Sequence, residues 1–161
     1  MLYEVTVGAM SQSGLFILRP EEAVPGAARD EAASPSRRVL IVEDDAAICS
    51  SLSEALQDEG FNVTTAKNGS EALDLLRTAP PPSAIVLDLM MPVMDGWDFR
   101  NEQLRNPALK DIPVVVVTAA GFSVESIYTQ FGNVVLIRKP VPYLDLLEAL
   151  GRACAPKPSA A

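Results

Sequence analysis

From Arg37 onward the chain alternates short apolar runs with stretches whose apolar residues recur at helical spacing. "RVLIV" at 38–42 is apolar almost throughout, the pattern of a strand buried on both faces. After "EDD", Ile48, Leu52, Ala55 and Leu56 fall on one helical face, and Gly60 supplies a stop. "FNVTTA" at 61–66 predicts a second strand. Asn68 and Glu71 then stand three residues apart, the spacing of a capping pair, and open a helix with Ala72, Leu73 and Leu76 inward until Pro80-Pro81-Pro82 ends it. A third strand at 84–88 leads into a weaker helical pattern from Gly96 to Arg105 that carries Trp97, Phe99 and Leu104. "IPVVVVTAA" at 112–120 is the most strongly β-branched run, as expected at the centre of a parallel sheet. A short helix over 124–131 and a strand "NVVLI" at 133–137 follow. Beyond Lys139-Pro140 a last helix sets Leu146, Leu147, Leu150 and Ala153 on one stripe.

Five strand patterns, each followed by a helix pattern, specify an α/β fold in which right-handed crossovers place helices on both faces of a parallel sheet. The natural five-stranded choice is a flavodoxin-like, doubly wound (βα)5 sheet of strand order 2-1-3-4-5. Such a sheet puts its ligand site at the carboxyl ends of the strands, near the switch point between the first and third. Residues 37–154 are expected to form this domain, with 155–161 as a tail. Residues 1–36 are rich in Ala, Glu, Pro and Ser and lack a sustained period, which predicts a flexible extension. Within it "LYEVTV" alternates like a strand and "LFIL" is a compact apolar run, so an added strand or a docking peptide stays open.

Composition narrows the function classes. Among 161 residues, 21 acidic against 13 basic side chains give a formal charge of -8, a poor basis for gripping phosphate backbones, so direct nucleic-acid binding is not expected. The absence of histidine excludes Ser-His-Asp and Cys-His sites and any histidine-ligated metal. Cys49 and Cys154 lack the spacing of a disulfide framework or a zinc site and are expected to be reduced packing residues. No apolar run approaches the roughly 18 residues of a membrane span, and the first residues do not resemble a signal peptide. The expectation is a soluble, cytoplasmic protein without membrane insertion.

What stands at the strand ends carries the chemistry. Strand one ends in Glu43-Asp44-Asp45, strand three in Asp88, strand four in Thr118, and strand five is followed by Lys139. Buried carboxylates need a partner. A divalent cation with oxygen ligands relieves the repulsion among them, and magnesium suits a site with few carboxylates, several waters and a phosphoryl oxygen. In this reading Asp44 and Asp88 are direct ligands and Glu43 holds a metal-bound water. A phosphoryl group placed on Asp88 would be neutralised by the metal and by Lys139, and Thr118 would hydrogen-bond one of its oxygens. Each feature has a plainer reading alone: the acidic trio as a helix N-terminus, Thr118 as strand packing, Lys139 as a solvated charge. Met90 and Met91 are expected to pack in the core or the site wall, and Asp95-Gly96 to turn into the third helix.

"VLIVEDD", "VLDLMMPVMDGW", "VVVVTA" and "IRKP", in this order and spacing, resemble the receiver domain of two-component response regulators, the CheY-like superfamily. The resemblance implies that Asp88 accepts a phosphoryl group from the phosphohistidine of a sensor histidine kinase or a histidine phosphotransfer protein. It also implies Mg2+ bound by Asp44, Asp88 and the main-chain carbonyl of Met90, and a cis Lys139-Pro140 bond. Two features depart from the family. Leu136 stands where receivers usually carry an aromatic switch residue, and the segment from Thr118 to Lys139 has a glycine soon after its Thr-Ala-Ala. Tyr128 and Phe131 are candidates to supply aromatic surface instead.

The leading expectation is thus a stand-alone receiver, a non-enzymatic switch that catalyses only its own Mg2+-dependent phosphorylation and dephosphorylation and signals to a protein target or through a phosphorelay. A pseudo-receiver serving as a constitutive interaction module is the alternative, favoured only by Leu136. A metal-dependent phosphatase with Asp88 as nucleophile ranks last, because Met90 stands where that chemistry wants a second acid.

Overall fold

The computed structural model describes residues 37–119, 121–132 and 134–155. The expectations for 1–36 and for the end of the tail lie outside these residues. Five strands, β1 (Arg38–Val42), β2 (Asn62–Ala66), β3 (Ala84–Asp88), β4 (Val114–Thr118) and β5 (Val135–Arg138), alternate with five helices. These are α1 (Ala46–Asp58), α2 (Gly69–Thr78), α3 (Gly96–Arg105), α4 (Val124–Phe131) and α5 (Tyr143–Ala153). All strand pairs are parallel and the order is β2-β1-β3-β4-β5, as the strand and helix patterns predict.

β1, β3 and β4 are apolar on both faces because helices cover both. Along β1, Val39 and Ile41 pack with Leu56 of α1 and Leu146 and Leu150 of α5, while Leu40 and Val42 point to the other face with Leu73, Phe99 and Ile127. A fully buried side chain of this kind contributes about 1.5–3 kcal/mol relative to exposure. β2, at the sheet edge, is largely exposed apart from Ala66.

Side-chain caps start four helices where the sequence changes from strand to helix. Asp45, Asn68, Asp95 and Ser123 accept backbone N–H bonds at the starts of α1 to α4. The Asn68–Glu71 pair forms nearly as expected: Asn68 accepts from the Glu71 amide at 2.9 Å, but the Glu71 carboxylate reaches the amide of Lys67 rather than that of Asn68.

α3 departs from the apolar reading. Leu104 is exposed, and the inward stripe is Gly96, Phe99, Arg100 and Gln103. Gln103 donates to the carbonyls of Leu109 and Ile112 at 3.0 and 3.1 Å and accepts from Arg100 at 2.7 Å; Arg100 also donates to the Phe131 carbonyl at 3.1 Å. The carbonyls of Ile112 and of Phe131 at the α4 end find donors here, and the Leu109 carbonyl, which also accepts the Ile112 amide at 3.1 Å, gains a second.

Candidate functional site

β1 and β3 run in register, Val42 opposite Leu87, so the residues that follow, Glu43 and Asp88, emerge side by side at the carboxyl end of the sheet. Both are buried, each about 4 % exposed, while Asp44 is exposed. Lys139 reaches across from the end of β5, its Nζ donating to Glu43 Oε2 at 2.9 Å and to Asp88 Oδ2 at 3.1 Å. Asp88 Oδ1 accepts the amide of Met90 at 3.2 Å. Thr118 is buried at the end of β4, where its hydroxyl donates to the Ala119 carbonyl at 3.3 Å and its own carbonyl accepts the Lys139 amide at 2.9 Å. The Lys139-Pro140 bond is cis.

The acidic trio divides. Asp45 caps α1, accepting from the amides of Ala47 and Ile48, so the helix-terminus reading holds for that residue. Glu43, Asp44 and Asp88 instead each offer a carboxylate oxygen within 4.8 Å of the others. Three carboxylates against one ammonium leave the cluster with excess negative charge. Burial holds the Glu43 carboxyl above its ordinary pKa; the charge of Asp88 adds to this, and the bond from Lys139 opposes it. Burial alone would lower the pKa of Lys139, but its bonds to Glu43 and Asp88 outweigh that and raise it. A hard divalent cation with oxygen ligands fits this donor set, one side of which is open to water at Asp44.

Two glycines permit close packing around the end of β3 and the loop that follows it. A Cβ on Gly96 would lie 2.3 Å from the Asp88 carbonyl oxygen and 2.7 Å from Leu89 Cα, so only glycine lets α3 begin directly against the strand end. Gly69, at the start of α2, donates to the Met94 carbonyl at 2.9 Å and has no room for a Cβ against Met94 and Phe99. The Asp-Gly dipeptide marked a turn in the sequence, but nothing there signalled this approach to Asp88. In the same loop Val93 has φ 70° and is 88 % exposed, a left-handed conformation that a β-branched residue adopts only under strain.

Met91 is buried as expected, but Met90 is not: its side chain is 61 % exposed, because the backbone turn that gives its amide to Asp88 aims it at solvent. Leu136 is half-buried and packs against the α2–α3–α4 core. Phe131 is buried and Tyr128 exposed, so of these two candidates it is Tyr128 that supplies aromatic surface. Cys49 and Cys154 are free and half-buried, and burial pushes both thiols up, away from reactive thiolates.

Among the described residues no helix is long and apolar enough to cross a membrane. Residues 39–151 match the response regulator receiver domain. The chain is 44 % identical over 82 residues to response regulator MprA of Mycolicibacterium vanbaalenii, a match covering 51 % of this chain and 34 % of that protein. It is 37 % identical over 92 residues to the probable transcriptional regulator ycf29 of Pyropia yezoensis, covering 57 % and 41 % of the two chains. The chain thus spans well under half the length of these curated relatives. Among solved structures, the fold is similar to Vibrio cholerae chemotaxis protein CheY4, with TM-score 0.65, 31 % identity, and 72 % and 97 % of the two chains covered. It is also similar to a putative response regulator of Chloroflexus aurantiacus, with TM-score 0.67, 26 % identity, and 74 % and 98 % covered. Fold, strand-end chemistry and relatives agree: this chain belongs to the receiver-domain family of two-component response regulators, signalling domains in which phosphorylation and Mg2+ binding are typical.

Proposed function

We propose that Asp88 accepts a phosphoryl group from the phosphohistidine of a sensor histidine kinase or a histidine phosphotransfer protein, and that the phosphorylated domain signals by protein–protein contact or phosphorelay. The observation that carries this reading is the cluster of Glu43, Asp44 and Asp88 with Lys139 donating to two of them. A carboxylate oxygen of Asp88 attacks phosphorus, the bond from phosphorus to the imidazole nitrogen breaks, and an acyl phosphate forms. The Met90 amide holds Asp88 in place, and Lys139 supplies positive charge to the incoming oxygens. Thr118 offers its hydroxyl to one of them. Mg2+, held by Asp44, Asp88 and the Met90 main-chain carbonyl and by Glu43 through water, would neutralise the phosphoryl charge. With a thioether at Met90 that cannot orient an attacking water, the acyl phosphate decays slowly; loss within seconds contradicts this.

Output through a protein rather than nucleic acid is supported by the net charge of -8. The alternative, a pseudo-receiver that binds its partner irrespective of phosphorylation, has Leu136 in its favour. Intact-protein mass after incubation with acetyl phosphate separates the two. One added phosphoryl group that requires both Mg2+ and Asp88 supports the switch. No adduct, and no Mg2+ binding, favours the constitutive module.

A further inference from the structure

Trp97 is connected to the strand ends of the site from two directions. It follows Gly96, whose Cα lies directly against the carbonyl of Asp88. Its ring centroid lies 5.9 Å from that of Phe122 and 4.6 Å from that of Phe131. Phe122 belongs to the segment that leaves Thr118 and directly follows Gly121 at φ 127°, a conformation open to glycine. Phe131 is the last residue of α4 and is buried, while Trp97 and Phe122 are half-buried against the same core. Leu136 packs there too, but as an aliphatic side chain.

We propose that Trp97, held between Phe122 and Phe131, registers an acyl phosphate on Asp88 and conveys it to α4. The proposal rests on the phosphoacceptor reading above. The Thr118 hydroxyl now donates its single proton to the Ala119 carbonyl at 3.3 Å. A phosphoryl oxygen on Asp88 is a charged and stronger acceptor, and one proton cannot serve both. When the hydroxyl turns to the phosphoryl group, the Ala119 carbonyl loses this bond just where the segment bearing Phe122 begins. Displacement of Phe122 alters its contact with Trp97, and the close Trp97–Phe131 contact carries the change to the end of α4. Packed cores respond by switching between discrete arrangements, so a small change at Thr118 suffices to repack the three rings.

The chain holds a single tryptophan, so its emission reports Trp97 alone. The full chain is treated with acetyl phosphate and Mg2+, and intact mass, tryptophan emission and hydrogen exchange of the α4 amides are followed in parallel. The expected result is an emission change that tracks the phosphorylated fraction, is absent with Mg2+ alone, and is absent in Asp88→Asn. Phe122→Leu should take up the phosphoryl group yet lose most of that change. Trp97→Leu should be phosphorylated while α4 exchange stays the same with and without the adduct. Full phosphorylation with unchanged wild-type emission, or α4 exchange that responds in Trp97→Leu as in wild type, overturns the proposal and leaves Asp88 as phosphoacceptor. No adduct in wild type overturns the phosphoacceptor reading and this proposal with it. If Trp97→Leu does not fold, α4 exchange in Phe122→Leu decides by the same criterion.

Discussion

Among the described residues, polar side chains are buried in two regions, and the two are built on opposite plans. Around α3, Arg100 and Gln103 are nearly inaccessible, and their principal partners are carbonyls that need donors. Apart from Arg100 Nε, which is buried without a hydrogen-bond partner, that network is satisfied within the protein, and it ties α3 to the α3–β4 loop and to the end of α4. At the strand ends, Glu43 and Asp88 are equally buried but share a single ammonium, with Asp44 adding a further charge at the solvent edge. A polar cluster largely matched by protein partners holds a fold together, whereas one left with excess negative charge is ready for a ligand that supplies what is missing.

The largest effect is expected from Gln103→Leu, which leaves the Ile112 carbonyl and one Arg100 N–H without partners, while the Leu109 carbonyl keeps its bond from the Ile112 amide. At about 1–3 kcal/mol for each buried group left unsatisfied, a loss of roughly 3 kcal/mol is expected. Chemical denaturation measures it, and phosphoryl uptake per folded molecule should stay unchanged. Lys139→Met acts on the other region, leaving Glu43 and Asp88 buried without their cation. Removal of one partner of a buried pair costs about 3–5 kcal/mol, and the partial exposure of Lys139 reduces this to about 1–3 kcal/mol. Mg2+ should restore part of the lost stability in this variant and raise the melting temperature of the wild type, and a melting temperature indifferent to Mg2+ in both would count against a metal centre.

A finer distinction comes from pH. Because the folded-state pKa of Glu43 is raised above its ordinary 4.5, its contribution to stability is fully present below that value and is lost as pH rises through the folded pKa. Metal-free Glu43→Gln should therefore gain stability relative to wild type as pH climbs from acid to neutral, a difference that thermal melts across this window would show. The smallest effect belongs to the loop that joins the two regions. Val93→Gly relieves the positive φ at an exposed position, and a gain of about 0.5–1 kcal/mol is expected, set against the added freedom of glycine in the unfolded chain.

Most of the site was legible because each of its side chains interrupts an apolar strand at its carboxyl end, a one-dimensional signal that topology turns into proximity. Glu43, Asp88 and Lys139 meet as the spacing implied, and the five-stranded order followed from the alternation of patterns. The α3 network was not legible, since polar residues at inward positions look like a solvated face until the carbonyls they serve are located. Met90 misled for a related reason: hydrophobicity suggests burial, but the turn that sends its amide to Asp88 sends its side chain to water. Gly96 showed only as half of a turn dipeptide, because its close approach to Asp88 is a property of packing between elements.

Asp88, among several neighbouring carboxylates, is the proposed phosphoacceptor. The most direct test is reductive trapping: the protein is treated with acetyl phosphate and Mg2+, then with borohydride, which converts an aspartyl phosphate to homoserine, and the modified residue is located by peptide mass spectrometry. Homoserine at Asp88 alone, and at no residue when Mg2+ is omitted, is the predicted result. Homoserine at Asp44, Asp45 or Asp95 in place of Asp88, or at no residue with Mg2+ present, would contradict it.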